Sequence, residues 1–247
     1  MQEKLFIDSK AGKVCCVYTE IANSTSIVII SHGFLSNKSS RTGVALAEKL
    51  HQNGISIIAL DLYGHGESEG NLEELTVSKA VDNVLEVYAF VTSKGYTKIG
   101  LVGSSFSGEV SLLVATKRPI TVLSLKCPVF DYAKLWEERI GIKGIEKWKK
   151  DGFVLLFEKR ILYETYADAK KYDMKKLVPL IHASTLVIHG DKDATVPQSH
   201  PEEIINLISS KEKKLEIIHG ADHFFYGPLH FKKMIEFNAM WLSKYLQ

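Results

Sequence analysis

The sequence has few of the features that secreted or membrane-spanning chains need. It holds only three cysteines among 247 residues. The adjacent Cys15 and Cys16 are poorly placed to bridge each other, so we expect both, and Cys127, to be reduced core residues. The longest apolar run, at residues 26–30, is far too short to span a bilayer, and residues 1–13 carry no apolar signal segment. These absences predict a cytoplasmic protein without stable membrane insertion.

An excess of charge of one sign is also lacking. The chain balances 31 Lys and Arg residues against 29 Asp and Glu residues, for a net charge of +2. The nearest approach to a basic run, at residues 147–150, is broken by Asp151 and is typical of a solvated helix face. Without a basic patch, we expect no nucleic-acid partner.

No motif for a nucleotide cofactor or a metal ion is evident. The chain contains neither the GxGxxG pattern of dinucleotide sites nor a phosphate-binding Walker loop. His219 and His223 stand four residues apart, a spacing that suits two ligands on one helix. Gly220 and the apolar run before it disfavour a helix there. The sequence therefore predicts that the protein uses no cofactor and no metal ion.

The chain does contain a regular alternation of short apolar runs and amphipathic segments. The apolar runs predict buried strands at residues 4–7, 14–19, 26–31, 55–60, 98–102, 121–125, 184–189 and 214–218. Helical periodicity covers residues 42–52, 77–93, 108–117, 201–208 and 231–245. This alternation predicts a single α/β domain over residues 1–247, with a mostly parallel, twisted sheet and helices on both faces. The first two strands are expected to form an antiparallel pair at one edge.

One segment breaks this alternation. Between about residues 128 and 174 the spacing between strands roughly doubles, and aromatic residues are frequent, Trp136, Trp148 and Phe153 among them. An insertion too long for a plain crossover is usually functional. It predicts a lid over a site, with these three aromatic residues in contact with a substrate. The alternative is an extra helical layer whose aromatic residues form a core of their own.

Polar and glycine-rich segments follow the strands at their carboxyl ends, where open parallel sheets place their working groups. The segments are SHGFL at 31–35, DLYGHGESEG at 61–70, GSSFSG at 103–108, HGDKDATVP at 189–197 and HGADH at 219–223. Later segments thus supply a serine, an aspartate and a histidine in chain order. A serine hydroxyl is a weak nucleophile that needs a histidine base oriented by a carboxylate, and the chain offers all three.

The segment GSSFSG also fits a sharp turn between a strand and a helix. Such a turn at Ser105 raises its Oγ above the sheet and directs the N–H of Phe106 toward a developing oxyanion. The loop after the first central strand offers the N–H of Phe34 as a second donor. Ser104 precedes the apex and Ser107 lies in the first helical turn, so Ser105 is the predicted nucleophile. Without an aspartate and a histidine, the same serines would be read as helix caps.

Together the five segments resemble the α/β-hydrolases. Within them, the chain resembles the serine aminopeptidase S33-like group, which holds monoacylglycerol lipases and cinnamoyl and feruloyl esterases. The motifs HGF, DLYGHGESEG, GSSFSG, HGDKDATVP and GADHF occur in family order over essentially the whole chain. The resemblance implies Ser105 as nucleophile, Asp193 as the acid of the HGxxD pattern and His223 as the base. It also implies Phe34 and Phe106 as the oxyanion donors.

The chain departs from the family pattern next to the nucleophile. The usual motif is G-x-S-x-G, and Ser107 replaces its second glycine. Serine is small enough for the tight packing that this turn demands. Asp191 and Asp222 compete with Asp193 for the acid role, but the family pattern places the acid at Asp193. We expect the other two aspartates to shape their loops.

The other histidines are expected to be structural. His32 and His65 belong to family loop motifs, where we expect hydrogen bonds to the backbone. Four others are expected at the surface or at helix ends: His51, His182, His200 and His230.

The resemblance implies a serine carboxylesterase that hydrolyses small or medium acyl esters through an acyl-enzyme. Feruloyl- or cinnamoyl-type esters and monoacylglycerols are the leading substrates, because an aromatic insertion suits either an acyl chain or an aromatic acid. A thioesterase or acyltransferase would use the same triad, and a non-catalytic ligand-binding protein would share only the fold. The expected partner is a small-molecule ester, and the sequence is compatible with a homodimer.

Overall fold

The computed structural model describes residues 2–247, which form an α/β structure around a central sheet. Within these residues the strands are β1 (Gln2–Ile7), β2 (Val14–Thr19), β3 (Ser26–Ser31), β4 (Ser56–Leu60), β5 (Lys98–Ser104), β6 (Val122–Lys126), β7 (Phe153–Leu156), β8 (Lys159–Leu162), β9 (Ser184–Gly190) and β10 (Lys213–Ile218). The central sheet has the order β1-β2-β4-β3-β5-β6-β9-β10, and β7 and β8 form a separate hairpin. β1 and β2 pair antiparallel, as do β2 and β4. The other neighbours in the central sheet pair parallel.

Helices cover both faces of the sheet. They are α1 (Arg41–Gln52), α2 (Val77–Ser93), α3 (Phe106–Lys117), α4 (Tyr132–Asp151), α5 (Tyr163–Ala169), α6 (Met174–Leu177), α7 (Ser199–Leu207) and α8 (Pro228–Leu246). Short 3-10 turns occur at Leu72–Glu74 and Val178–Leu180. No helix in the described part of the chain is both long enough and apolar enough to cross a bilayer.

Strand β3 shows why the central strands are continuous apolar runs. All of its residues are buried, because helices cover the sheet on both sides. Ile27 and Ile29 join the apolar cluster under α2 and α3, whereas Val28 and Ile30 join the cluster under α1 and α8. A strand with one polar face would leave one of these helix layers without a core.

The predicted fold class is confirmed. Each predicted strand is present, with its ends displaced by at most two residues, and the first two strands form the expected antiparallel pair at an edge. The pairing of β2 with β4 extends the antiparallel part by one further strand.

The segment between β6 and β9 contains α4, the β7–β8 hairpin, α5 and α6, which the sequence pattern did not resolve. The side chain of Asp131 caps the first turn of α4. The helix bends at Gly141, where φ is 67°. The hairpin turns at Phe157 and Glu158, which both have positive φ, as the tight turns of two-residue hairpins require.

Candidate active site

Ser105 occupies a strained turn between β5 and α3. Its φ of 53° and ψ of −116° lie in a region that residues other than glycine rarely adopt. Hydrogen bonds hold this conformation: the Ser105 N–H donates to the carbonyl of Lys126 at 2.9 Å, and the Ser105 carbonyl accepts the N–H of Val129 at 2.9 Å. The turn therefore presents the Ser105 side chain at the carboxyl edge of the sheet, as the sequence predicted.

Two glycines make this turn sterically feasible. A Cβ atom on Gly103 would lie 2.2 Å from the carbonyl oxygen of Ser107. A Cβ atom on Gly108 would lie 2.4 Å from Cβ of Pro128. Both distances are far shorter than van der Waals contact, so α3 can approach β5 and the loop after β6 only where no side chain intervenes.

Ser107 stands where the family motif usually has its second glycine, and it is fully buried. Its hydroxyl donates to the carbonyl of His32, and its Oγ lies 2.9 Å from the hydroxyl of Ser31, which donates to it. A buried hydroxyl without partners would be costly, so these two bonds explain how serine is accommodated here. They also connect α3 to the loop that follows β3.

His223 lies between Ser105 and Asp193. Its Nε2 is 3.1 Å from Ser105 Oγ, and its Nδ1 is 2.7 Å from Asp193 Oδ2. An ionised carboxylate can only accept, so Nδ1 carries the ring proton and Nε2 accepts from the serine hydroxyl. The three side chains follow β5, β9 and β10, whose carboxyl ends lie along one edge of the sheet. The structure thus brings together the three residues that the sequence singled out.

Asp193 is held in its ionised form. Burial alone raises its pKa, but hydrogen bonds from His223 and from the backbone of Thr195 and Val196 outweigh burial and lower the pKa to about 2. The two backbone N–H groups donate to Oδ1 at 2.8 and 2.9 Å, and His223 donates to Oδ2. A carboxylate fixed through both oxygens orients the imidazole and stabilises its protonated form.

The loop that carries His223 is fixed by side chains on neighbouring segments. Buried Lys126 donates from Nζ to the carbonyl of His223 at 2.6 Å. Asp222 accepts the N–H of the residue after His223 at 2.9 Å. Asp191 accepts the N–H of Gly220 at 2.7 Å. Both aspartates therefore shape loops, as expected, whereas Lys126 is a site residue that the sequence did not reveal.

Two backbone N–H groups near Ser105 are free to bind a ligand. Phe106 is the first residue of α3, so its N–H has no acceptor within the helix. The N–H of Phe34 makes no backbone hydrogen bond within residues 2–247. The Phe34 loop approaches the nucleophile closely, since a Cβ on Gly33 would lie 3.2 Å from Ser105 Cβ. This arrangement suits the binding of an oxyanion beside Ser105.

Two histidines brace the loop after β3 against the loop after β4. His32 donates from Nδ1 to the carbonyl of Gly33 at 2.7 Å and accepts the N–H of Leu62 at Nε2 at 3.1 Å. His65 accepts the N–H of Leu35 at 3.1 Å. Burial lowers the pKa of His32 to about 4 and also lowers that of His65, so both rings are neutral acceptors near pH 7. Their predicted hydrogen bonds to the backbone are confirmed.

A cavity of about 340 Å³ opens beside Ser105 and His223. It is lined by Phe34, Leu35, Ser36, Ser105, Phe106, Val129, Tyr132, Leu135, Arg139, Leu156, Phe157, Thr195, Val196, His223 and Phe224. Helix α4 and the β7–β8 hairpin contribute to its wall. The segment between β6 and β9 therefore borders the space in front of the nucleophile.

The three aromatic residues predicted to contact a substrate do not line this cavity. Trp136 and Trp148 are each 1% exposed, and their ring centroids are 4.7 Å apart. Phe153 packs against Arg160, whose guanidinium lies 4.3 Å from the ring centroid. This placement does not support contact with a substrate. Instead, both indole rings belong to the large apolar cluster that also lies under α2 and α3.

One group of side chains within residues 2–247 has the chemistry of metal ligands. Ligand atoms of Cys127, Asp193 and His223 lie within 4.8 Å of one another. Burial raises the pKa of Cys127 to about 12, so the thiol keeps its proton. Asp193 and His223 already hydrogen bond to each other. The group therefore fits acid–base chemistry at Ser105 better than it fits a metal centre.

Known proteins include several relatives of this chain. The family model for serine aminopeptidase, S33, matches residues 22–156. The chain is 27% identical over 220 residues to palmitoyl-protein thioesterase ABHD10, mitochondrial, of Mus musculus. The alignment covers 83% of this chain and 71% of that protein. The chain is 26% identical over 225 residues to an acyl transferase of Shewanella hanedai, covering 83% of this chain and 68% of that protein.

Solved structures share the fold. Est1E from Butyrivibrio proteoclasticus, with ferulic acid bound, is similar with a TM-score of 0.83 at 23% identity, over 96% of this chain and 98% of that chain. Alpha/beta hydrolase domain-containing protein 10 from mouse gives a TM-score of 0.86 at 22% identity, over 98% of this chain and 99% of that chain. These similarities establish the α/β-hydrolase fold. Because the family model matches more than half of its residues, the chain belongs to the serine aminopeptidase S33 family of serine hydrolases.

Proposed function

We propose that the protein hydrolyses carboxylic esters of small or medium acyl groups through a covalent acyl-enzyme on Ser105. The observation that carries this proposal is the position of His223, within hydrogen-bond distance of both Ser105 Oγ and Asp193 Oδ2. A serine, a base and an orienting carboxylate in this geometry are what nucleophilic catalysis by a hydroxyl requires. The cavity beside them leaves room for an ester.

In the first half-reaction Ser105 Oγ attacks the ester carbonyl carbon. Its proton passes to His223 Nε2, and the imidazolium that forms is stabilised by Asp193. The carbonyl oxygen becomes an oxyanion that accepts hydrogen bonds from the N–H groups of Phe34 and Phe106. The carbon–oxygen bond to the alcohol then breaks, and His223 returns its proton to the leaving alkoxide. Ser105 is left acylated.

In the second half-reaction water takes the place of the alcohol. His223 removes a proton from the water as its oxygen attacks the acyl carbon, and the same two N–H groups stabilise the second oxyanion. The bond to Ser105 Oγ breaks, and His223 gives its proton to the serine. The carboxylic acid leaves, and the enzyme is restored.

The size and lining of the cavity favour substrates with small or medium acyl groups. Its volume of about 340 Å³ is near the lower end of the range of about 300–1,000 Å³ that is usual for ligand sites. Most of its lining is apolar or aromatic, which suits an acyl chain or an aromatic acid. We therefore propose feruloyl- or cinnamoyl-type esters and monoacylglycerols as the leading substrates. The likeness to Est1E, solved with ferulic acid, supports the first of these classes.

Residues 128–174 are proposed to act as a lid over this cavity. Leu135 of α4 and Leu156 of the hairpin line the same cavity as Ser105. The bend of α4 at Gly141 divides the helix within this segment. A Cβ at Gly141 would meet no atom within 4 Å, so the bend has space around it. The lid would exclude water from the acyl-enzyme until the alcohol has left.

Thioester hydrolysis or acyl transfer is the second candidate. The specific support comes from the relatives, one named as a palmitoyl-protein thioesterase and another as an acyl transferase. The same serine, base and oxyanion donors serve both reactions, and only the leaving group or the acceptor of the acyl group differs. A protein that only binds ligands would have no need to keep His223 between Ser105 and Asp193.

A panel of substrates tests the proposal with wild type and Ser105→Ala. The panel comprises p-nitrophenyl esters of increasing acyl length, methyl ferulate, a monoacylglycerol and acyl thioesters. We expect kcat/KM to be highest for an oxygen ester with a small or medium acyl group, and activity to vanish in Ser105→Ala. Higher kcat/KM for thioesters, or transfer to an added alcohol, would favour the second candidate. Binding of acyl ligands without turnover of any substrate would contradict both.

A further inference from the structure

Arg139 is the charged residue of the active-site cavity. Among the described residues that line the cavity, Arg139 alone carries a permanent charge. It projects from α4, in the segment proposed as the lid. The rest of the wall is apolar, aromatic or neutral. Arg139 is exposed, and a single cation beside an otherwise neutral wall attracts ligand groups with negative charge.

The guanidinium of Arg139 is not used in an ion pair within residues 2–247. One of its nitrogens donates to the carbonyl of Thr195 at a long 3.4 Å, and its Cζ lies 5.3 Å from the ring centroid of Trp136. The neighbouring carboxylate of Glu138 is instead 3.8 Å from Lys134 and 3.4 Å from His200. Arg139 is therefore steadied by a carbonyl and an aromatic face, and most of its donors remain available.

The other titratable side chains that line the cavity do not neutralise Arg139. Tyr132, which lines the cavity one helical turn before Leu135, is a neutral phenol because burial raises its pKa to about 12. His223 is engaged by Asp193, and that carboxylate is buried behind the imidazole. A planar guanidinium with free donors matches the two oxygens of a carboxylate or the oxygens of a phosphate.

We propose that Arg139 binds an anionic group, a carboxylate or a phosphate, carried by the substrate at a distance from the scissile bond. The inference rests on the proposed esterase function and specifies its substrate class as acidic esters or thioesters. The anion can belong to the acyl part, as in the half-ester of a dicarboxylic acid. It can equally belong to the leaving group, as in a thioester of a phosphorylated thiol. Both sources present the same chemistry to Arg139.

Two matched substrate pairs separate the sources. For the acyl part, the mono-p-nitrophenyl ester of adipic acid is compared with its methyl ester, which has the same chain without the charge. For the leaving group, S-butyryl 4′-phosphopantetheine is compared with S-butyryl pantetheine. Wild type is expected to prefer the charged member of at least one pair. In Arg139→Gln that preference is expected to fall by about three- to tenfold in kcat/KM, and any change for the neutral members should be smaller than the change for the charged ones.

Two control variants sharpen the test. Lys143→Gln removes one positive charge from an exposed position of the same helix, outside the cavity, and is expected to keep the wild-type preference. Arg139→Lys keeps the charge but loses the planar fork, so it is expected to retain part of the preference. Added salt should raise KM for the charged member alone, because ions screen the attraction. An equal preference in wild type and Arg139→Gln would overturn the proposal.

Binding without turnover distinguishes this inference from the proposed function. The Ser105→Ala protein is titrated with monoethyl adipate and with diethyl adipate by calorimetry, with and without Arg139→Gln. We expect the monoanion to bind more tightly than the diester, and Arg139→Gln to abolish the difference. If the protein hydrolyses neutral esters but binds the two adipates equally, the anion-binding proposal is wrong and the esterase proposal stands. If binding depends on Arg139 but no substrate is hydrolysed, the esterase proposal is wrong and the anion-binding proposal stands.

Discussion

Lys126 Nζ donates to the main-chain carbonyl of His223 at 2.6 Å, while the main-chain carbonyl of Lys126 accepts the N–H of Ser105 at 2.9 Å. One residue at the end of β6 thus contacts both the strained turn of the nucleophile and the loop of the base. Lys126 does not line the cavity, so its contribution is to the relative position of these two groups. Small displacements of reacting groups relative to each other lower the reaction rate strongly.

Lys126→Met is therefore expected to lower kcat by between about tenfold and a hundredfold, with KM little changed. Lys126→Gln, whose amide can still donate, should recover part of the loss. The matched control is Lys98→Met, which removes a similar bond from Nζ to the main-chain oxygen of Gln247 at 2.7 Å, far from the site. A rise in KM with unchanged kcat in Lys126→Met would show that Lys126 does not act on the alignment of Ser105 and His223.

Asp193→Asn tests the role of the buried carboxylate. The amide can donate to His223 Nδ1, which would place the proton of the neutral ring on Nε2. Nε2 could then no longer accept the hydrogen bond from the Ser105 hydroxyl. We expect kcat to fall by about 10³- to 10⁴-fold while the fold is retained. Asp191→Asn is the matched control, because Asp191 bonds to the Gly220 N–H rather than to His223, and its activity should stay within about threefold of wild type. Comparable losses in the two variants would remove the acid role from Asp193.

Ser107→Ala tests the residue that departs from the family motif. The change removes the hydroxyl that donates to the His32 carbonyl and accepts from Ser31. We expect the free energy of unfolding in urea to fall by about 1–2 kcal/mol, because the His32 carbonyl loses a buried partner. The bond also joins α3 to the oxyanion loop, so a modest loss of kcat should accompany it. Unchanged stability would mean that Ser107 merely fills space.

Buried neutral histidines predict a loss of stability in mild acid. The pKa of His32 is about 4 in the folded protein because the ring is buried, whereas an unfolded histidine titrates near pH 6.5. Below about pH 6.5 the unfolded chain binds a proton that the folded chain does not. The free energy of unfolding therefore decreases as the pH is lowered from about 6.5 to about 4. For His32 the fall between pH 7.5 and pH 5 amounts to about 2 kcal/mol. Burial lowers the pKa of His65, His189 and His200 as well, which adds to the effect.

Urea unfolding at the two pH values measures this dependence. The difference between pH 7.5 and pH 5 should shrink by about 2 kcal/mol in His32→Gln, which cannot titrate. His51→Gln, which removes an exposed histidine, should keep the wild-type difference. A wild-type difference that persists in His32→Gln would show that His32 is not the titrating group.

The sheet and the positions of Ser105, Asp193 and His223 at its edge were predictable from the sequence for a shared physical reason. A strand buried on both faces must be an apolar run, and polar residues directly after such runs lie together at the carboxyl edge of a parallel sheet. Ser105, Asp193 and His223 stand at such positions. The distances between these three residues, however, depend on the order of the strands in the sheet. The sequence of one apolar run does not determine that order.

Residues whose environment comes from distant segments were not predictable. His200 was expected at the surface or at a helix end; it is the second residue of α7 but is buried, and its Nδ1 accepts the N–H of Phe130 at 3.0 Å. Trp136 and Trp148 could be assigned to a ligand or to a core only once their packing was known. Lys126 and Arg139 were missed because a lysine that ends a strand and an arginine on an amphipathic helix are ordinary surface residues in sequence. Only tertiary structure places the first beneath His223 and the second at the cavity.

Labelling with a fluorophosphonate, followed by mass spectrometry of the peptides, tests most directly whether Ser105 is the activated nucleophile. The reagent phosphonylates a serine that an adjacent base has activated. We expect one adduct, on the peptide that contains Ser105, lost in Ser105→Ala and formed at least about a hundredfold more slowly in His223→Ala. The neighbouring Ser104→Ala should label at close to the wild-type rate. An adduct that forms at the wild-type rate in Ser105→Ala would contradict the account.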